Sequence, residues 1–260
     1  MGIVRTDQWL KDDFYFPEKV CENLTSVFPS LTPKGIYDVL QQLGMYRPNR
    51  QTESLFKEMM DEEIWGKLSV IERKYKRKWQ GPEVPIYVFP GRNLPFERKF
   101  KKNGFTFPDK IFLFLDDAQN TNMCEALFVH EYHHIARLSK INKNLQDYTL
   151  LDSLLMEGLA EQAVREYCGE EYVDHFVRKY HPMDLLKYWR RYYLHQLDIK
   201  ITNPNHDRFL FGSQFGKPKL GYAIGYAIVE SYRERNPFVI GDTLIKQAKY
   251  FLTEPWEEKK

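Results

Sequence analysis

Residues 125–138 read EALFVHEYHHIARL. Leu127, Phe128, Ile135 and Leu138 recur at helical spacing, so the stretch predicts a helix. It contains His130-Glu131-Tyr132-His133-His134, a match to H-E-x-x-H. On a helix, residues i and i+4 lie on one face about one turn apart. His130 and His134 can therefore aim a ring nitrogen each at one ion. Two neutral imidazoles suit zinc, with Zn–N about 2.0–2.1 Å. Glu131 lies beside the first of them, close to where a metal-activated water would sit. It is placed as general base for attack on a carbonyl. His133 falls between the two in sequence and is assigned no role. The competing reading is a surface helix that merely carries three histidines.

A catalytic zinc needs a third protein ligand and an open position. The extended form HExxHxxGxxH fails here, because its glycine position is Arg137 and its last histidine position is Lys140. The next helical segment, 149–168, reads TLLDSLLMEGLAEQAVREYC. Its Glu157 and Glu161 are again i and i+4, and Gly158 and Ala160 leave room for another helix to approach. Glu157 interrupts the apolar run Leu154-Leu155-Met156 and Leu159-Ala160, a costly place for a carboxylate unless it is paired or bound to metal. Glu157 is thus the candidate third ligand. Glu161, one turn on, is placed to accept a hydrogen bond from a ligand imidazole and fix its tautomer.

Three further features bear on the same chemistry. Tyr222 and Tyr226 are i and i+4 in LGYAIGYAIVESY, 220–232, each preceded by a glycine. A tyrosine hydroxyl facing the metal would donate to a developing oxyanion; core packing of both rings is the alternative. His206, in the NPNHD loop, is a second candidate donor, although a loop histidine is more often exposed. The strand expected at 111–116, if it is an edge strand, would let an extended peptide pair with its backbone.

Three pieces, VHEYHHIAR at 129–137, LLMEGLAEQ at 154–162 and LGYAIGYAIVESY at 220–232, resemble the gluzincin type of zinc metallopeptidase. More narrowly, they resemble the YjaZ-like family of predicted zinc-dependent proteases. The likeness runs over roughly residues 80–250, and the GYAIGYAIV piece is its narrower mark. It implies a zincin-like domain: a small mixed sheet packed on the HExxH helix, the glutamate helix behind it, and zinc-dependent hydrolysis of peptide bonds.

The surrounding sequence fits an α+β chain that is mostly helical. Helices are expected at 17–28, 33–45, 52–79, 121–138, 149–168, 184–198, 219–235 and 241–251, with a loop at 201–218. Short apolar runs at 84–90 and 110–116, with pieces of 96–108, predict a sheet of three to four strands. The reading divides the chain into a helical N-terminal region, 1–80, and a metallopeptidase domain, 81–260. Both ends of that domain carry further helices.

The chain has 260 residues, 43% of them hydrophobic and 28% charged, which suits an ordinary globular protein. Disorder would need fewer apolar residues and more net charge. Three cysteines, far apart, exclude a disulfide scaffold and favour a reducing compartment. The start has no apolar signal region, and no apolar run approaches the ~18–20 residues of a membrane span. A cytoplasmic protein without a membrane partner is expected. Two basic runs, 73–79 and 98–102, mix cations with aromatics and could touch phosphates. A solvated helix end is the plainer reading, and a net charge of +2 makes nucleic acid an unlikely partner. The expected partner is a peptide or protein substrate. The rival function is a non-catalytic zinc-binding or degenerate peptidase-fold module that binds a protein partner. Against it, a structural zinc would be closed by a fourth protein ligand and would not need Glu131.

Overall fold

The computed structural model describes residues 2–92 and 103–257. It is mostly helical, with one four-stranded mixed sheet. Two compact units, Met1–Tyr132 and His133–Lys260, meet in sequence inside a single helix.

The first unit is built on the sheet. Its strands are β1 (Gly2–Ile3), β2 (Pro85–Pro90), β3 (Asn103–Phe107) and β4 (Lys110–Leu115), in the order β1-β2-β4-β3. β1 and β4 both run parallel to β2, and β3 runs antiparallel to β4, with Phe107 opposite Lys110. Every residue of β4 is buried. That explains its unbroken KIFLFL run, since a strand covered on both faces has no polar side to show. Alternation puts Gly104, Thr106, Ile111 and Leu113 on one face and Phe105, Phe107, Phe112 and Phe114 on the other. On the second face Phe112 stacks on Tyr87 at 4.9 Å and meets Phe28 at 5.8 Å.

Five helices surround these strands: α1 (Thr6–Asp13), α2 (Pro17–Glu22), α3 (Pro33–Leu43), α4 (Arg50–Asp61) and α5 (Ile64–Trp79). Thr32 caps α3 as its position before Pro33 predicts, accepting from the Gly35 N–H at 3.2 Å. Helix α2 stops short of the expected 28, because Asn23 and Thr25 side chains capture the Val20 and Glu22 carbonyls. The single stretch expected at 52–79 is two helices, broken where Glu63 turns left-handed at φ 51°. Strand β1 was not expected in a region read as wholly helical.

Helix α6 (Thr121–Leu138) has the expected limits. An aromatic ladder fastens it to α5: Trp79 stacks on Tyr132 at 6.0 Å, Tyr132 on Phe128 at 5.2 Å, and Phe128 meets Tyr75 at 6.2 Å. Such pairs add about 0.5–1.5 kcal/mol each beyond burial. The Tyr132 hydroxyl donates to the Pro82 carbonyl at 2.9 Å. Tyr75 and Trp79 face inward, while Lys74 pairs with Glu125 at 2.7 Å and Lys76 with Glu83 at 2.6 Å. The 73–79 run is thus a helix end with its aromatics in the core; the 98–102 run lies outside the described residues, as does the first part of 96–108.

The second unit centres on α7 (Leu150–Cys168) and α11 (Leu220–Arg235). Thr149 and Asp152 form a capping box at the start of α7. The two helices cross at glycines. A Cβ on Gly225 would lie 1.8 Å from the Leu154 carbonyl oxygen, and one on Gly158 would lie 2.3 Å from the Gly225 backbone. Further along, Gln162 and Arg165 both reach Glu230 at 2.6 Å.

Three expectations here need correction. The helix at 184–198 is α9 (Pro182–Tyr188), followed by a π-helical turn, Trp189–Tyr193, and a 3-10 turn. The loop at 201–218 contains α10 (Pro204–Leu210), started by the Asn203 side chain capping the Asn205 N–H ahead of Pro204. The last helix is only α12 (Ile240–Thr243), with a 3-10 turn at Ala248–Phe251. A short α8 (His175–Arg178) completes the unit.

The glycine crossing makes a paired prediction. Gly225→Ala forces two backbones apart and should lower unfolding stability by about 2 kcal/mol or more. Gly66→Ala, where a Cβ meets nothing within 4 Å, should raise it by about 1 kcal/mol through helix propensity. Urea unfolding of both variants beside the parent reads the opposite signs.

Candidate metal centre

Helix α6 buries His130, Glu131, His133 and His134, all at 8% exposure or less. The apolar faces around them draw α6 into the interior, and the polar groups go with it. Glu157 enters from the first half of α7. His134 Nε2 lies 3.6 Å from Glu157 Oε2. One ligand atom from each of His130, His134 and Glu157 falls within 4.8 Å of the others. Two ligands held tetrahedrally at zinc distances stand about 3.3 Å apart. The donor set of two imidazoles and one carboxylate suits that ion and leaves a fourth position open. Among the described residues this is the group of His, Cys, Asp and Glu side chains able to hold a metal ion. Sulfur takes no part. Burial pushes the Cys21 and Cys124 thiols up to about 12, so neither offers a thiolate near neutral pH.

Glu131 is held from the sheet. The Thr106 hydroxyl lies 2.7 Å from Glu131 Oε2 and 2.9 Å from the Glu131 backbone oxygen. A Cβ on Gly104, on the same face of β3, would come within 2.5–2.7 Å of the Glu131 side chain. Glycine at 104 thus lets the strand close over the carboxylate. The expectation that 111–116 is an edge strand is wrong: β4 is paired on both sides, by β2 and β3. Among the described strands the outer ones are β1 and β3, and β3 is the one touching Glu131.

Glu161 is 1% exposed, and its Oε2 accepts the Asp174 backbone N–H at 3.0 Å. Asp174 in turn pairs with Lys219 Nζ at 2.5 Å. Burial works against the Lys219 charge, yet Asp174, Glu161 and Glu157 together hold its pKa above the ordinary lysine value. Lys219 is a residue that the sequence reading missed. Its ammonium lies 5.1 Å from the centre of the Tyr222 ring, which also meets Phe211 at 5.9 Å. Tyr226 has other neighbours. Burial pushes its hydroxyl up to about 12; Arg165 opposes that shift, and Glu230 adds to it.

His206 is neither in a loop nor exposed. It sits on α10, 1% exposed, with Nε2 at 2.9 Å from Ser153 Oγ and Nδ1 at 2.9 Å from Asp207 Oδ1. Ser153 is one turn before Glu157 on α7, so α10 braces the same face of the helix that carries Glu157.

Comparison with known proteins agrees with this geometry. A family described as "Predicted Zn-dependent protease (DUF2268)" matches residues 64–253. The chain is 36% identical to the uncharacterized protein YjaZ of Bacillus subtilis (strain 168), over 84% of this chain and 85% of that one. It is 28% identical to the uncharacterized protein YjfC of the same organism, over 53% of this chain and 49% of that one. No solved structure matches. On the span of the first match and the identity of the first relative, the chain belongs to the family of predicted Zn-dependent proteases, the YjaZ-like family.

Proposed function

We propose that the protein is a gluzincin-type zinc peptidase of zincin-like fold. In this reading His130, His134 and Glu157 hold the ion, and Glu131 is the general base. The observation that carries it is the convergence of three ligand atoms within 4.8 Å beside a carboxylate that the sheet holds in place. Bound there, zinc would lower the pKa of water and polarise a carbonyl.

The chain's own residues supply the rest. Glu131 takes the proton of the attacking water and delivers it to the leaving amine. Thr106 fixes the carboxylate through Oε2. Of the two tyrosines, Tyr222 is the better donor to the developing oxyanion. It packs against Lys219, which feels Glu157, whereas Tyr226 sits with Arg165 and Glu230. Glu161, besides accepting from Asp174, serves to orient a ligand imidazole. An extended peptide pairs with the outer edge of β3 rather than with β4. The substrate is then held mainly by backbone bonds, on the strand that grips the base.

Four outcomes follow. The purified chain should hold about one zinc, and His134→Ala and Glu157→Ala should each weaken its retention at least tenfold by metal analysis. Saturating zinc should raise the melting temperature of the parent and not of those variants. Glu131→Gln should keep the zinc and lower hydrolysis of a peptide library by about 10³ or more, as removal of a central catalytic group does. Thr106→Val should lower kcat by about tenfold with KM and zinc content unchanged, and Thr106→Ser should restore it. Hydrolysis that survives Glu131→Gln at the parent rate would sink the mechanism.

A further inference from the structure

In the second unit a hydroxyl, an imidazole and a carboxylate stand in series, and none of them is a candidate metal ligand. Ser153 Oγ lies 2.9 Å from His206 Nε2, and His206 Nδ1 lies 2.9 Å from Asp207 Oδ1. A carboxylate only accepts, so in the neutral ring Nδ1 is the donor and Nε2 the acceptor. The Ser153 hydroxyl therefore donates into the ring. In that order a base activates a weak nucleophile, and a third group fixes the base. Burial separates the three further. His206 is 1% exposed, whereas the Asp207 side chain is 70% exposed and Ser153 is partly exposed, on the same face of α7 as Glu157.

The start of α7 decides which acyl donor this array can use. An amide needs hydrogen-bond donors for its oxyanion, and loss of one such donor costs about 10²–10³ in rate. The first four N–H groups of α7 are all spent. Leu150 donates to the Ile199 carbonyl at 2.7 Å, and Leu151 to the Leu197 carbonyl at 3.1 Å. Asp152 donates to the Thr149 hydroxyl at 3.4 Å, and Ser153 to the Thr149 carbonyl at 3.1 Å. That disfavours amides. An ester with a good leaving group, an aryl ester or a thioester, needs far less help.

We propose that Ser153 is a nucleophile that uses no metal and takes the acyl group of an activated ester. His206 is its base, and Asp207 positions the base. Ser153 Oγ bonds to the acyl carbon as its proton passes to His206 Nε2. The bond from that carbon to the leaving oxygen or sulfur breaks. The leaving group departs with the electron pair and takes the proton from Nε2. Water then attacks the acyl-serine and gives a proton to Nε2, which returns it to Ser153 Oγ as the carboxylic acid leaves. None of the three groups is a candidate ligand or the proposed peptidase base, so the array stands or falls independently of the peptidase reading.

The test is reaction of the full chain with 4-nitrophenyl acetate. The expected result is a burst of about one 4-nitrophenolate per chain, with the acetyl group located on Ser153 by peptide mass spectrometry. Ser153→Ala should abolish the burst. His206→Gln should slow acetylation about 10²-fold or more. Asp207→Asn, changed on an exposed side chain, should slow it at least tenfold at an unchanged melting temperature. That variant keeps the test decisive if His206→Gln fails to fold. A zinc chelator should leave the burst as it is, whatever becomes of peptide hydrolysis. No acetyl group on Ser153, a burst that survives Ser153→Ala, acetylation of Asp207→Asn at the parent rate, or loss of the burst with the chelator would overturn the proposal.

Discussion

Burial of two imidazoles and a carboxylate in one small volume is the constraint around which this molecule is arranged. Ionisable groups taken out of water are costly unless opposite charge or metal compensates them. His130 and His134 ride on α6 because Ala126, Leu127, Phe128, Val129, Tyr132 and Ile135 around them are apolar and buried. Glu157 arrives on α7, whose position is set in turn by the glycine contact with α11. Packing of ordinary apolar surface thus brings the three polar atoms together. A cation at that point would offset the cost of having done so.

The environment of Glu131 is set separately, by the sheet. The Thr106 hydroxyl and the missing side chain of Gly104 define where the carboxylate can lie. Both belong to β3, one of the two outer strands among those described. One short strand is thereby placed to hold Glu131 and, in the proposed function, to hold the peptide. In the second unit a relay from Glu161 through Asp174 to Lys219 spreads positive charge behind Glu157. That relay keeps a cluster of acidic groups compatible with burial.

Local spacing made part of this legible. The limits of α6 follow from its apolar periodicity, and His130, Glu131 and His134 follow from their offsets on it. Glu157 was reached because a carboxylate inside an apolar stripe requires an explanation. Gly158 reads as a close approach, and the structure places the Gly225 backbone against it. Other features depend on contacts far apart in sequence and leave no local trace. β1 is two residues long and exists only because β2, some 80 residues on, accepts it in parallel. Thr106 and Lys219 sit in unremarkable surroundings, and nothing in their spacing connects them to Glu131 or Glu157. The break between α4 and α5 falls at Glu63, where no glycine or proline announces it. At 201–218 the signal was present but misread: Asn203-Pro204 is a helix start as well as a loop mark. A capped helix there buries His206 against Ser153.

The most direct test of the central claim is X-ray absorption spectroscopy of the zinc-loaded chain. The account predicts a shell of nitrogen and oxygen donors at about 2.0–2.1 Å, with the outer scattering of two imidazoles and an exchangeable light-atom ligand. A sulfur shell at about 2.3 Å, or a spectrum with fewer than two imidazoles, would contradict it.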